Sequence, residues 1–182
     1  ETIIRNAETA NGVIADLLNF ARPKERKIEV VNLEHVLEEG LRLLNNKLAS
    51  QKIKVSKKFD KTMPKVWLDR SNFTQAFVNF VLHAIDSMPG GGELSVETRK
   101  EDGQAKILVS DSGSGYSPEI IERMFKPFSR SRGGPVDLRL PTAENIIKSY
   151  GGSVSLYNNK DVGATGLIQI PLVAGNVMAS KV

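Results

Sequence analysis

An apolar repeat with alternating spacings of four and three residues runs through the first 22 positions of the chain. Its members are Ile3, Ala7, Ala10, Ile14, Leu17 and Ala21. This seam predicts a coiled-coil-like helix over residues 1–22 that pairs with another helix, although an amphipathic helix docked on its own domain would give a similar pattern. Pro23 cannot continue the helix, so residues 23–26 are predicted to form a hinge.

Beyond the hinge, short alternating runs and amphipathic helices follow one another. Strands are predicted over residues 28–31, 52–59 and 66–68. A helix that Asn32 can cap is predicted next, with an apolar face formed by Leu37, Leu41, Leu44 and Leu48. A longer helix is predicted from Ser71 to Met88 and can be capped by Asp69 or Ser71. Its core face is formed by Phe73, Phe77, Phe80, Val81, Ala84 and Ile85.

The second half of the chain predicts a hairpin, a loop and a closing pair of strands. The hairpin strands are residues 93–99 and 105–110, and they are followed by a short helix over 117–125. Residues 126–141 show no period and predict a mobile loop, after which come a helix over 142–150 and strands over 153–157 and 166–171. Together these elements predict an α+β fold, in which helices cover one face of a mixed sheet in a two-layer sandwich. This domain would span residues 27–174, with a tail at 175–182.

The composition narrows the classes of protein to which the chain can belong. With 40% hydrophobic and 25% charged residues among 182, it suits one ordinary domain with an appended element. The net charge of +4 comes from Lys and Arg that alternate with Asp and Glu, which argues against a nucleic-acid partner. The absence of cysteine excludes disulfides, thiol catalysis and thiolate metal sites. No apolar run approaches the roughly 20 residues that a bilayer requires, so we expect a cytoplasmic location, with any membrane attachment through segments upstream of residue 1.

Two clusters of polar residues are candidates for chemistry. Gln75, Asn79, His83 and Asp86 share one side of the helix predicted over 71–88, which is also the pattern of a solvated helix face. The sequence Asp111-Ser112-Gly113-Ser114-Gly115 follows a predicted strand. There a carboxylate can accept a hydrogen bond from the exocyclic amine of adenine, and glycines let the backbone lie close to a flat ligand. An ordinary Asp-Gly turn would have the same sequence.

The order of these features resembles the ATP-binding domain of sensor histidine kinases, in the superfamily of gyrase, Hsp90, histidine kinase and MutL ATPases. Residues 75–88 are similar to the asparagine box of that family, 111–115 to its first glycine box, and 125–128 to its phenylalanine box. Residues 138–152 are similar to the second glycine box and the helix after it. Residues 1–22 resemble the second helix of the dimerisation hairpin. The resemblance therefore covers nearly the whole chain.

The resemblance implies roles for individual residues. Asp111 would accept a hydrogen bond from the adenine of ATP, in a pocket shaped by Gly113 and Gly115. Asn79 would face the phosphates and the magnesium ion, as a weak metal ligand. The other residues assigned to the nucleotide are His83, Asp86, Phe128, Arg132 and Leu140. For two of them a plainer explanation stays open, because Arg132 can be an ordinary exposed arginine and Phe128, like Phe125, a core aromatic.

The chain departs from the family at two of these boxes. His83 stands where a second asparagine would coordinate magnesium, although magnesium prefers oxygen ligands. His83 could instead donate to a phosphate or be a half-buried helix residue. The glycines of the second glycine box are replaced by Pro135, Asp137 and Arg139, which leaves Leu138 and Leu140 as its remnants. Pro135 has no amide to donate, and Asp137 places a negative charge near the polyphosphate, unless a loop shifted onto Gly133 and Gly134 restores part of the cradle.

The resemblance also implies partners and competing functions. The phosphate-accepting histidine of the family lies on a first dimerisation helix that this chain does not contain, and His35 lies outside every box. A homodimer through residues 1–22 and that first helix is expected, as is a response regulator receiver domain as partner. One hypothesis is a kinase domain that binds ATP for transfer to a histidine outside the chain. Another is a degenerate kinase with weak or no ATP binding that acts as a dimerisation and partner-binding module. A protein serine kinase or gyrase-type ATPase is a third, against which the N-terminal seam argues.

Overall fold

The structure, a computed structural model, describes residues 27–127 and 137–172. The predicted dimerisation helix over 1–22, the hinge at 23–26 and the tail at 175–182 lie outside these residues. The strands are β1 (Ile28–Val31), β2 (Ile53–Lys58), β3 (Val66–Asp69), β4 (Gly92–Glu101), β5 (Gln104–Asp111), β6 (Ser153–Asn158) and β7 (Ala164–Pro171). The helices are α1 (Leu33–Leu43), α2 (Asn45–Ser50), α3 (Arg70–Asp86), α4 (Pro118–Ile121) and α5 (Arg139–Lys148).

The main sheet has five strands in the order β2-β4-β5-β7-β6. The pair β2–β4 is parallel and the other neighbouring pairs are antiparallel, so the sheet is mixed. Strands β1 and β3 form a separate antiparallel ribbon. The α+β prediction is confirmed, and the predicted hairpin is the β4–β5 pair. No helix within the described ranges is long and apolar enough to cross a bilayer.

Helix α3 packs against α1, α5 and the sheet, and its apolar side chains belong to the core. Its predicted apolar face is buried as expected. Two glycines allow the close approach of its neighbours, because a Cβ on Gly40 of α1 would lie 2.6 Å from Phe77 Cδ1 and one on Gly166 of β7 would lie 2.5 Å from Phe80 Cδ1. The side chains on the opposite stripe of α3 are therefore held in place by close packing on both sides of the helix.

The N-terminus of α3 is capped by Asp69, one of the two candidates. Its Oδ1 accepts from the amide of Asn72 at 2.9 Å, and its Oδ2 accepts from the amide of Lys27 at 2.8 Å. The helix predicted after Asn32 was wrong in two respects: the Asn32 side chain makes no capping bond, and the helix is interrupted at Leu44. Two consecutive asparagines follow Leu44, and asparagine competes with the helical backbone for hydrogen bonds.

Helix α5 begins at Arg139 and not at Thr142, so the loop predicted over 126–141 was too long. Pro141 lies in the first turn of this helix, where no amide hydrogen bond is required of it. Asp137 Oδ1 accepts from the amide of Arg139 at 2.9 Å and so helps to start the helix. The helix predicted over 117–125 is shorter than expected and is regular only over Pro118–Ile121.

Candidate functional site

Asp111 is the last residue of β5 and is 6% exposed. Its Oδ1 accepts from the amide of Gly113 at 2.8 Å and lies 3.4 Å from the amide nitrogen of Ala164. Its Oδ2 forms no hydrogen bond to the residues that the structure describes. The two amides orient the carboxylate through one oxygen and leave the other available as an acceptor.

The glycines of this turn lie against the ends of α3 and β6. A Cβ on Gly113 would lie 2.6 Å from the carbonyl oxygen of Ser87 and 2.7 Å from Asp111 Oδ1. Gly115 has φ +66°, and a Cβ there would lie 2.8 Å from Asn158 Oδ1. Glycine is thus required for the close approach of the turn to its neighbours, in addition to its conformational freedom.

Sequence reasoning missed the residues at the end of β6 and just after it that hold this turn. Asn158 accepts from the amide of Tyr116 at 2.9 Å and donates to its carbonyl oxygen at 2.7 Å. Asn159 donates to the carbonyl oxygen of Asp111 at 3.2 Å. Gly163 has φ +80°, and a Cβ there would overlap that same carbonyl. The Asn-Asn pair and Gly163 mark a turn in the sequence, but only the sheet places that turn beside Asp111.

The polar stripe of α3 is divided between two places in the structure. Gln75 lines a cavity of about 540 Å³ beside the β1–β3 ribbon, together with residues such as Lys27 and Arg70. Asn79, by contrast, contacts the start of α5, where its Nδ2 donates to the carbonyl oxygen of Arg139 at 3.0 Å. The C-terminal part of the stripe therefore faces the segment that replaces the second glycine box.

Arg139 links two carboxylates across this contact. Its Nε and Nη2 donate to Asp137 at 3.0 and 2.7 Å, and its Nη1 lies 2.8 Å from Asp86 Oδ2. Lys47 Nζ lies 3.5 Å from the other oxygen of Asp86. The side chains of Asp137 and Arg139 are only 14% and 23% exposed, so their attraction is weakly screened.

The ion pair shifts the pKa of both of its members in the direction that favours the charged form. Burial alone would raise the pKa of the Asp137 carboxyl, but contacts with His83 and Arg139 outweigh it and hold that pKa well below its usual range. Burial alone would lower the pKa of Arg139, but the hydrogen bonds and charges of Asp137 and Asp86 raise it above its usual value. The negative charge that the sequence placed at Asp137 is therefore present, but it is neutralised within the protein.

His83 is buried, with 5% of its surface exposed, and not half-buried as one of the two sequence interpretations had it. Its ring stacks on Tyr116 at a centroid distance of 5.3 Å and an interplanar angle of 17°. Its Nδ1 lies 3.9 Å from Asp137 Oδ2. Its Nε2 is buried without a hydrogen-bond partner within residues 27–127 and 137–172. A buried polar atom in that state costs about 1–3 kcal/mol until a ligand or water satisfies it.

The remaining site predictions concern the lid and α5. Leu140 is 2% exposed and packs in the core. Phe125 is half-buried, with its ring centroid 6.4 Å from that of Phe80. Phe128, Arg132 and Pro135 lie outside the described residues, so their assigned roles stay predictions.

The side chains around Arg139 do not fit a magnesium ion. Magnesium takes oxygen ligands in an octahedral arrangement. The two nearby carboxylates, on Asp86 and Asp137, are both bound by the guanidinium of Arg139. The imidazole of His83 stands where the family has its second asparagine. Within the described part of the chain, no group of three or more His, Cys, Asp or Glu residues is arranged to hold a metal. The cation at this place in the fold is the guanidinium of Arg139.

Comparison with known proteins gives one family. Residues 68–174, more than half of the chain, match the model of the family described as histidine kinase-, DNA gyrase B-, and HSP90-like ATPase. A curated relative is the sensor histidine kinase ZraS of Salmonella typhimurium strain LT2, which is 28% identical over 176 residues. The match covers 96% of this chain but only 38% of that relative.

Solved structures have the same fold at low sequence identity. Full-length ShkA in complex with AMPPNP is 21% identical with a TM-score of 0.82, and the match covers 97% of this chain and 39% of that one. Histidine kinase ThkA in complex with the response regulator protein TrrA is 20% identical with a TM-score of 0.80, over 94% of this chain and 50% of that one. At these identities the similarity establishes the fold.

Proposed function

Because this chain belongs to the histidine kinase-, DNA gyrase B- and HSP90-like ATPase family, we propose that it binds an adenine nucleotide, with Asp111 as the acceptor for the adenine amine. The observation that carries the proposal is the carboxylate of Asp111, buried, oriented through Oδ1 by two backbone amides and with Oδ2 free of bonds to the described residues. A base without an amine at that point would leave the buried acceptor unmatched, which costs about 1–3 kcal/mol.

Asp111→Asn tests this recognition directly. The amide oxygen of asparagine can keep the bonds from the amides of Gly113 and Ala164, which places its NH2 where Oδ2 was, so that two donors face each other when adenine binds. Calorimetric titration should show that the parent binds ATP more tightly than GTP. Asp111→Asn should weaken ATP binding by about tenfold or more.

Asp102→Asn is the matched control, because Asp102 is 89% exposed and lies in the β4–β5 turn. It should leave ATP binding unchanged within about twofold. ATP binding that is equally strong in the parent and in Asp111→Asn would show that this turn does not recognise adenine.

Two roles for the bound nucleotide are compatible with this recognition. In the first, ATP supplies its γ-phosphoryl group to a histidine on a dimerisation helix outside this chain. In the second, the domain is a degenerate kinase that binds nucleotide and partners without turnover. The linkage of Asp86, Arg139 and Asp137 favours the second, because phosphoryl transfer depends on positioning and neutralising the phosphates, usually with magnesium.

A labelling experiment separates the two roles. The longer protein that carries the phosphate-accepting histidine is incubated with ATP labelled at the γ-phosphate. A degenerate kinase should bind ATP and remain unlabelled. Acid-labile label on that histidine would instead establish the transferase role.

We also propose that residues 1–22 form the second helix of a dimerisation hairpin, so that the protein is a homodimer that interacts with a response regulator receiver domain. The heptad seam supports the first part, and the solved complex of ThkA with the response regulator protein TrrA supports the second by analogy. Residues 27–174 would then be the nucleotide-binding domain, on the cytoplasmic side of any membrane that the longer protein crosses. Light scattering of the chain with and without residues 1–22 tests the dimer, which should be lost with that segment.

A further inference from the structure

We infer that Asp137 and Arg139 fill the phosphate side of the site with a built-in ion pair, so that the protein recognises the adenosine part of its ligand and is indifferent to magnesium and to the number of phosphates. This inference rests on the proposed adenine recognition and names the ligand class for it. The ligands would be adenine nucleosides and metal-free adenine nucleotides.

The first support is the state of the amides at the start of α5. A helix N-terminus holds a phosphate through backbone N–H groups that have no other partner. Here the amide of Arg139 already donates to Asp137 Oδ1 at 2.9 Å, and Pro141 has no N–H. The amide of Thr142 donates to the carbonyl oxygen of Leu138 at 2.9 Å. The carboxylate of Asp137 thus occupies the amide of Arg139, one of the donors that a phosphate would otherwise use.

The second support is the charge around that position. Asp86 and Asp137 carry two negative charges, and Arg139 and Lys47 carry two positive charges, so the linked group is neutral. A polyphosphate would meet no excess positive charge here, and it could bind Arg139 only by competing with two carboxylates that already contact it. Nothing in this group therefore makes a triphosphate preferable to a nucleoside.

The third support is the tie between this group and α3. Asn79 donates to the carbonyl oxygen of Arg139 at 3.0 Å, which holds the first turn of α5 against α3 without any ligand. The position that the family resemblance assigns to phosphates and magnesium is already ordered by the protein's own side chains. On the adenine side, the carboxylate of Asp111 is oriented by other groups, the amides of Gly113 and Ala164.

The test is a calorimetric titration of the chain with adenosine, ADP and ATP, each in magnesium chloride and in EDTA at constant ionic strength. The six dissociation constants should agree within about threefold. If magnesium ATP binds tenfold or more tightly than adenosine, or than ATP in EDTA, while Asp111→Asn still abolishes the preference for adenine, the inference is wrong and the proposed function stands. If neither adenosine nor ATP binds, the proposed function fails and the inference fails with it.

Asp137→Asn gives an independent check, because the amide oxygen of asparagine can still accept from the amide of Arg139 while the negative charge is lost. The group then carries an excess positive charge, so ATP should bind about fivefold or more tightly than adenosine. Asp102→Asn removes the same charge at a remote exposed turn and should leave the ratio at about one. The inference would be overturned if the ratio of ATP affinity to adenosine affinity were the same in Asp137→Asn, in Asp102→Asn and in the parent.

Discussion

Asn79 and Arg139 are 60 residues apart in the sequence, and the side-chain amide of the first donates to the backbone carbonyl of the second at 3.0 Å. This hydrogen bond joins the middle of α3 to the first residue of α5. It connects the residue that the family resemblance assigned to phosphate and magnesium with the segment that replaces the second glycine box. The contact stabilises the protein whether or not a ligand is present.

Loss of this bond should lower stability without changing adenosine binding. Asn79→Ala leaves a carbonyl oxygen without its donor, so the free energy of unfolding should fall by about 1 kcal/mol. Urea denaturation followed by circular dichroism measures the change. Asn145→Ala, at an exposed position on α5, is the control and should change stability by less than about 0.5 kcal/mol. A large loss of adenosine affinity in Asn79→Ala would mean that this side chain contacts the ligand.

Arg139→Gln should destabilise the protein more than the loss of an exposed ion pair does. It leaves the Asp137 carboxylate, only 14% exposed, without its cation, and about 2 kcal/mol of unfolding free energy should be lost. Arg99→Gln is the control, because Arg99 makes a similar two-point contact with Glu97 but is 50% exposed. It should cost less than about 1 kcal/mol. Equal losses in the two variants would indicate that the Arg139 pair is no better shielded than a surface pair.

The pH dependence of stability should carry the signature of Asp137. Its pKa in the folded state is well below the ordinary value, so the ionised form stabilises the fold. That contribution is complete above the unfolded pKa of about 4 and is lost as the pH falls toward the lower folded value. In Arg139→Gln the folded pKa should rise, because burial then dominates. Between pH 5 and 3 the parent should therefore lose about 1 kcal/mol more than the variant, measured by urea denaturation at each pH. Parallel curves for the two proteins would contradict this assignment.

Gly113→Ala should disturb both the fold and the adenine site. The added Cβ would lie 2.6 Å from the carbonyl oxygen of Ser87, and neither that backbone nor the Asp111 carboxylate can move without breaking other contacts. We expect a loss of about 2 kcal/mol in stability and a fall of about tenfold or more in adenosine affinity. Gly90→Ala is the control, since a Cβ at Gly90 meets no atom within 4 Å. Unchanged stability in Gly113→Ala would show that the turn is looser than the structure has it.

Local pattern was sufficient to predict most of the elements, but not every boundary. The apolar faces after Asn32 and on α3 follow helical spacing, and both are buried where the spacing placed them. The break at Leu44 and the start of α5 at Arg139 depend on hydrogen bonds within single turns, to which a periodic pattern is insensitive. Among candidate site residues, Asp111 was identified from its turn, whereas Asn158 and Gly163 were not, because the sheet alone brings them beside it.

The sequence by itself determined that a buried strand ends in Asp111 and a glycine turn, and that Asp137 and Arg139 stand where the family has glycine. Only the tertiary structure decided what those substitutions do. Taken as isolated residues, Asp137 repels a phosphate and Arg139 attracts one. Packing of α3 against α5 brings Asp86 to the guanidinium that Asp137, two residues away in the chain, already contacts, and these charges then neutralise each other. The sequence specifies the sign of each charge, but the effect of that charge depends on the distance to its partners, which the fold determines.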